Sequence, residues 1–410
     1  MSDKDQRKVP LLRFKGFTND WEQRKLGDIA NVYDGTHTTP DYQKNGIMFL
    51  SVENIDTLTS KKFITKSDYL ENYKHKPEYH DIFMTRIGSI GKTNILETHD
   101  PRAFYVSLAL IKPKDIDPYY LKYWLSSNTT QKEIWRRTLQ IAFPQKINKD
   151  EISKVQSSIS KSKNEQYNIG QLLNKIDHLL LLQQRKLDQF KQLKTMCLAN
   201  MFFNSANHVT KLRFVGFTDN VEKQSFGNTI SHKSGTSIEK YFSPKGQYKV
   251  ISIGSYGLNG EYIDQGIRAV SNEKTNSHLI RKGELSMVLN DKTDGKILGR
   301  TLLINKDNEY VVNQRSEIIK PNPALWDTQF AFTYLNGPFR KKVIRIMQGG
   351  TQKYINFSSV EKLNVFLPEV QEQQKIGFLF KKIDAIICHH QQKILSLKQI
   401  RKFLLQNLFI

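Results

Sequence analysis

The stretch Glu165-Gln166-Tyr167-Asn168-Ile169-Gly170, running on to Met201-Phe202-Phe203, decides the fold because the chain carries it twice. The second copy is Glu372 to Ile410, at a constant spacing of 207 residues. Asn174-Lys175-Ile176-Asp177 answers Lys381-Lys382-Ile383-Asp384, and Gln183-Gln184-Arg185-Lys186-Leu187 answers His390-Gln391-Gln392-Lys393-Ile394. Phe190, Leu193, Leu198 and Phe202 answer Leu397, Ile400, Leu405 and Phe409. Neither copy holds Pro, and Gly occurs only at Gly170 and Gly377, so each copy reads as one long helix. A helix of about 39 residues would run about 58 Å.

A seven-residue series runs through each copy. It is Ile169, Ile176, Gln183, Phe190, Cys197 in the first and Ile376, Ile383, His390, Leu397, Leu404 in the second. Leu173, Leu180 and Leu187, and Phe380, Ile387 and Ile394, complete the apolar seam. The helix-packing set is therefore Ile169, Leu173, Ile176, Leu180, Leu187 and Phe190 with Ile376, Phe380, Ile383, Ile387, Ile394 and Leu397. A seam this long needs a partner helix, and a chain with two copies carries its own. The expected packing is an antiparallel coiled coil; the other packing open is two separate helices, each covering its own domain.

A second repeat precedes each body. Leu12-Arg13-Phe14-Lys15-Gly16-Phe17-Thr18 matches Leu212-Arg213-Phe214-Val215-Gly216-Phe217-Thr218, and Trp21-Glu22 and Leu26-Gly27 answer Val221-Glu222 and Phe226-Gly227. The chain reads as a tandem duplication: body, helix, body, helix. In the first body, Ile47–Leu50, Asp81–Met84 and Tyr105–Ile111 read as strands, Pro118–Leu125 as a helix capped by Asp117, and Thr129–Leu139 as another, broken by Ala142-Phe143-Pro144. In the second, Tyr248–Ile253, Leu285–Leu289 and Leu302–Ile304 read as strands, and Phe330–Leu335 parallels the helix that carries Trp124. The bodies match in architecture and hardly in residues, whereas the helices match in residues.

Composition bounds the function. A formal charge of +22, from 62 Lys and Arg against 40 Asp and Glu, favours a polyanionic partner. Aromatic residues at 11% exclude a disordered basic tail. Cys197 and Cys388 read as small buried or half-buried hydrophobes in a reducing compartment. With no signal-like N-terminus and no apolar run long enough to span a bilayer, the expected location is the cytoplasm, with no membrane partner.

No catalytic or metal-ligating residue is assigned. Gly91-Lys92-Thr93 has the ending of a phosphate-cradling loop, but Arg86 stands where that loop needs its leading Gly. Cys388-His389-His390 are consecutive on a helix and point in different directions, and no zinc spacing occurs. The basic and amide residues of the loops suit DNA: cations attract phosphates and read guanine, and Gln reads adenine. The candidates are Arg86, Ser89, Lys92, Arg136, Arg137, Gln140 and Lys146 in the first body. In the second they are Lys233, Lys274, Arg281, Lys292, Lys296, Arg300, Lys342, Arg345, Gln348 and Lys353.

The chain resembles the specificity subunit of type I restriction–modification enzymes. The resemblance rests on the doubled Leu-Arg-Phe-x-Gly-Phe-Thr, on Trp21-Glu22-Gln23-Arg24-Lys25-Leu26-Gly27, on Thr85 to Lys92, and on Pro368-Glu369-Val370-Gln371-Glu372-Gln373 leading into Ile376-Gly377 and Lys382-Ile383-Asp384. It departs at Lys161, where the helix count calls for the Pro of Pro-x-x-x-Glu-Gln.

The resemblance implies an α+β fold: two mixed α/β target-recognition domains joined by two long helices packed as an antiparallel coiled coil, a pseudo-twofold tandem repeat. Its divisions are an N-terminal lead-in at 1–20, recognition domains at 21–150 and 209–369, a central helix with connector at 151–208, and a terminal helix at 370–410. It implies double-stranded DNA as ligand, one half-site per domain. Two modification (methyltransferase) subunits and two restriction/translocase subunits are the implied partners. The chain itself needs no cofactor; S-adenosylmethionine, ATP and Mg2+ belong to the partner subunits. An architectural or regulatory DNA-binding protein without enzyme partners and a coiled-coil protein scaffold are the other readings.

Overall fold

The computed structural model describes residues 9–203, 210–218, 221–291 and 295–410. It forms two compact units, Met1–Arg185 with Gln392–Ile410, and Lys186–Gln391. Each unit thus joins one body to half of each long helix.

In the first unit a four-stranded antiparallel sheet has the order Ala30–Asp34, Leu108–Pro113, Ile82–Thr85, Thr93–Ile95. A smaller sheet sets Ile47–Leu50 between Phe63–Ile64 (antiparallel) and Arg102–Phe104 (parallel). Glu22–Lys25 pairs antiparallel with Gln156–Ile159 and closes the body. Central strands bury both faces: Ile82, Phe83, Met84 and Leu108 to Ile111 are all 0% exposed.

The second unit repeats the plan. Its main sheet runs Ile230–Ser234, Ser316–Pro321, Leu285–Val288, Thr301–Leu303. Its second sheet again holds a parallel pair, Tyr248–Ile251 with Tyr310–Val312. Glu222–Ser225 pairs with Asn364–Leu367 as the closing ribbon.

The long helices run Lys163–Asn200 and Val370–Asn407, 38 residues each. They pack together antiparallel. In the first unit Arg401 Nε donates to Asp177 Oδ1 at 2.5 Å, and in the second Lys194 Nζ donates to Asp384 Oδ1 at 2.5 Å. The two pairs are the same pair under the 207-residue repeat. Of the seam, Ile169, Leu173, Ile176, Leu187, Ile376, Phe380, Ile383 and Ile394 are buried, while Leu180, Phe190, Ile387 and Leu397 are half-buried. His390 stacks on Phe190 with centroids 5.8 Å apart. Cys197 is buried, but Cys388 is exposed, contrary to the expectation for it. The seam passes through Ile383, Ile387 and His390 and leaves position 388 on the outer face.

The repeated motifs are the joints between helix and body. The buried Glu165 takes Arg13 Nε at 2.6 Å, and the buried Glu372 takes Arg213 Nη2 at 2.8 Å. Gly16 and Gly216 turn the lead-in segments at φ +96 and +94, where an L side chain is strained. Gln166 accepts from Asp117 N and donates to Ser160 O; Gln373 accepts from Asp327 N and donates to Pro368 O. Asp117 and Asp327 are the caps of the body helices Pro118–Ser126 and Thr328–Tyr334. Ser160, not Lys161, therefore fills the role of Pro368. The first connector holds one more residue than the second, because its strand ends at Ile159 and its helix begins at Lys163, against Leu367 and Val370.

The helices sit close to those caps. A Cβ on Gly170 would lie 2.7 Å from both Asp117 Oδ1 and Tyr120 N, and one on Gly377 would lie 2.7 Å from Asp327 Oδ1. This is why each helix tolerates a Gly in its second turn. The far end of each helix completes a body as well. Phe202 packs against Phe330, Tyr334 and Phe380, and Phe409 packs against Trp21 and Tyr120.

Candidate nucleic-acid interface

In each body the same two loops lie side by side. In the first, the strands Ile82–Thr85 and Thr93–Ile95 are joined by a tight loop in which Gly88 and Gly91 have φ of +76 and +84. The buried Thr85 hydroxyl accepts from Lys92 N at 3.0 Å and donates to Ser89 O, so it staples the loop from inside. Ser89 and Lys92 are exposed on it. The Gly91-Lys92-Thr93 motif thus belongs to a strand–turn–strand hairpin and not to a strand–helix phosphate cradle. Gln131 Nε2 donates to Gly91 O at 2.8 Å and locks the hairpin to the helix Asn128–Arg136.

The second loop follows that helix. Leu139 N donates to Lys146 O, Gly88 N to Gln145 O and Ile147 N to Arg86 O, so residues 139–147 are fastened to the hairpin. Arg86 is buried, pairs with Asp34 and donates to Ile147 O at 3.1 Å. Its guanidinium ties the two loops together from beneath. Arg137 is half-buried against Glu133 and Glu151, whereas Arg136, Gln140 and Lys146 are exposed.

The second body builds the same arrangement from different residues. Asn290–Asp291, after the strand Leu285–Val288, pairs antiparallel with Lys353–Tyr354 of the loop after the helix Arg340–Arg345. Lys296 and Arg300 lie on the first loop, and Arg345, Gln348 and Lys353 on or beside the second. Lys292 lies outside the described residues. Lys342 donates to Asn364 O and is half-buried. Lys233, Lys274 and Arg281 fall on other elements. Lys233 Nζ reaches Ser277 O at 2.7 Å beside Lys274, and Arg281 sits in the turn closed by Glu284.

Sequence reasoning missed Arg340. Its Nε donates to Leu298 O at 2.9 Å and its Nη2 to Lys296 O at 2.7 Å, aligning it with Arg300. Burial, helped by the Arg300 charge, pulls its pKa down to about 10. Arg300 is lowered too, by burial, against the pull of Glu261. The two guanidiniums border an open hollow of about 440 Å³ with Lys296 and Met347. Both remain charged at neutral pH, and an anion between them would relieve their mutual repulsion. The signal that could have found Arg340 was the cation run Arg340-Lys341-Lys342 just after Gly337-Pro338.

Among the described residues no three His, Cys, Asp or Glu stand together to hold a metal ion, and no helix is long and apolar enough to cross a membrane.

The sequence model of the family described as "Type I restriction modification DNA specificity domain" matches twice, over residues 18–192 and 220–399. The chain is 27% identical over 392 residues to the putative type I restriction enzyme MjaX specificity subunit of Methanocaldococcus jannaschii, covering 90% of this chain and 88% of that one. It is 30% identical over 116 residues to the type I restriction enzyme HindI specificity subunit of Haemophilus influenzae, a match covering 27% of this chain and 25% of that one. In fold it is similar to the type I restriction–modification S subunit from M. genitalium, with TM-score 0.66, 15% identity, and coverage of 98% and 99% of the two chains.

Proposed function

The chain belongs to the type I restriction–modification DNA specificity family, and from that premise we propose that each of its bodies reads one half of a split target in double-stranded DNA. The observation that carries this reading is the pair of adjoining loops, built at the same place in both bodies from unlike residues. An alike scaffold holding unlike contact residues suits two different half-sites. In the first body Ser89, Lys92, Arg136, Gln140 and Lys146 are the exposed readers, with Arg86 and Arg137 as their supports. In the second, Lys296, Arg300, Arg340, Arg345, Gln348 and Lys353 meet the duplex, with Arg300 and Arg340 gripping a phosphate.

Two modification subunits dock on the repeated helices. Each unit exposes a matching apolar strip at the C-terminal end of a helix. In one unit Ile400 and Phe403 are 48% and 56% exposed, beside Leu12, whose N–H bonds Asn407 O. In the other, Leu193 and Met196 are 37% and 52% exposed, beside Leu212, whose N–H bonds Asn200 O. Two alike strips fit two identical partners. Restriction subunits join that complex, and methyl transfer and cleavage are the work of these partner subunits, not of this chain. The test is to purify the chain with its modification subunit and map adenine methylation on genomic DNA. The expected motif has two specified blocks separated by unspecified base pairs; a single block, or methylation without sequence preference, would contradict the reading.

A further inference from the structure

In the loop of residues 139–147, Ile141 and Phe143 are 100% and 103% exposed, and Trp135 and Leu139 beside them are 50% and 42% exposed. The base of this loop is fastened by four hydrogen bonds, those of Leu139, Gly88 and Ile147 N–H and of Arg86 Nε. The apolar tip therefore stands on a rigid stem. Cations flank it in the sequence: Lys132, Arg136 and Lys146 are all exposed, and of these Arg136 is paired with Glu133. An apolar tip flanked by cations is ill suited to an apolar protein groove and well suited to a duplex, whose phosphates meet the cations while its base steps accept a wedge. The corresponding loop of the second body, closed by Gln348 and Tyr354, carries Gly349-Gly350-Thr351-Gln352 at its tip and has nothing to insert.

We infer that residues 139–147 form a wedge, and that Phe143, with Ile141 beside it, enters a base step of the half-site read by the first body and unstacks it. The wedge deepens the reading above and rests on it. Its consequence is asymmetric: one half-site is deformed by an inserted side chain, and the other is read without one. Selectivity in the first half-site then comes partly from how easily a step opens, with flexible pyrimidine–purine steps favoured.

The probe is a short duplex carrying the methylation motif, with 2-aminopurine placed singly at each step of both half-sites and the chain present in complex with its modification subunits. The expected result is a several-fold fluorescence rise at one step of the first body's half-site, distinct from the adenine that is methylated and flipped by the partner. The double variant Ile141→Ser, Phe143→Ser should abolish that rise and weaken binding by about ten-fold or more. Its melting temperature and complement of modification subunits should be unchanged, because both side chains are fully exposed. Phe143→Trp should keep the rise. Absence of any rise away from the methylated adenine, or unaltered binding by the double variant, would overturn the wedge. Loss of modification subunits from that variant would also overturn it, making the tip a protein contact. If exchange of residues 21–150 left the motif unchanged, the reading beneath the wedge would fail instead.

Discussion

Phe409, near the end of the terminal helix, lies 5.5 Å ring to ring from Tyr120 of the first body, and 6.3 Å from Trp21. The last turns of the chain thus finish the core of its first body. Leu404, Leu405 and Leu408 belong to the same buried cluster as Trp124 and Ile152. Phe409→Ala should destabilise the first body by about 3–5 kcal/mol, the cost of a large cavity in a packed core. Hydrogen exchange would show the loss of protection in residues 21–150 first; a loss confined to the second body would contradict this packing.

The buried carboxylates Glu165 and Glu372 are each neutralised by the Arg of a lead-in segment. Arg13→Ala leaves Glu165 buried without its cation, and breaking such a pair costs roughly 3–5 kcal/mol. Arg13→Ala with Glu165→Gln should recover a large part of that loss in thermal unfolding. An unchanged melting temperature in Arg13→Ala would show that the joint carries no weight.

Gly170→Ala gains about 1 kcal/mol of helix propensity. It also pushes a methyl to within 2.7 Å of the Asp117 cap, an overpacking that costs about 1–3 kcal/mol. The expected balance is destabilisation, and the same for Gly377→Ala. Ala at an exposed point of the same helix, such as Gln192, should be neutral by the same thermal measurement.

The repeated pairs Asp177–Arg401 and Lys194–Asp384 are partly exposed, with side chains 23% to 38% accessible. Each contributes at most about 1 kcal/mol. Their larger role is register, because each ties one helix to a fixed place on the other. Lys194→Asp should lower the melting temperature by a few degrees, and Asp384→Lys added to it should restore most of the loss, because Asp384, unlike Asp177 with its Tyr123 and Lys122 contacts, is held by its helix partner. A double-mutant cycle with no coupling would remove the register role.

The seam and the duplication were legible because a period repeated over 38 residues and then repeated again leaves little room for another reading. The apolar runs read as strands do fall on strands, within a residue or two at their ends except at Tyr105, three residues before the strand Leu108–Pro113 begins; polar strands such as Glu22–Lys25 carried no apolar run to find. What the helices dock on was not legible. That Phe409 would complete the first body depends on a contact between the two extremes of the sequence, for which local patterning has no signal. Arg86 looked like a DNA contact because it stands in a Gly-rich loop; it is buried because Asp34, far away in sequence, sits beside it. Ala142-Phe143-Pro144 marked a break, although the helix read to Leu139 stops at Arg136, and an apolar residue in a breaker offers no hint that it will stand wholly in solvent. Arg340 lay hidden for the opposite reason, since its place beside Arg300 requires a helix and a loop to be laid together.

If each body reads its own half-site, exchanging one body should change one block of the target and spare the other. The most direct measurement replaces residues 21–150 with the equivalent body of another family member, purifies the chain with its modification subunits, and maps methylated adenines. The expected motif has one specified block changed, with the other block and the gap between them as before. A motif in which both blocks change together would contradict it.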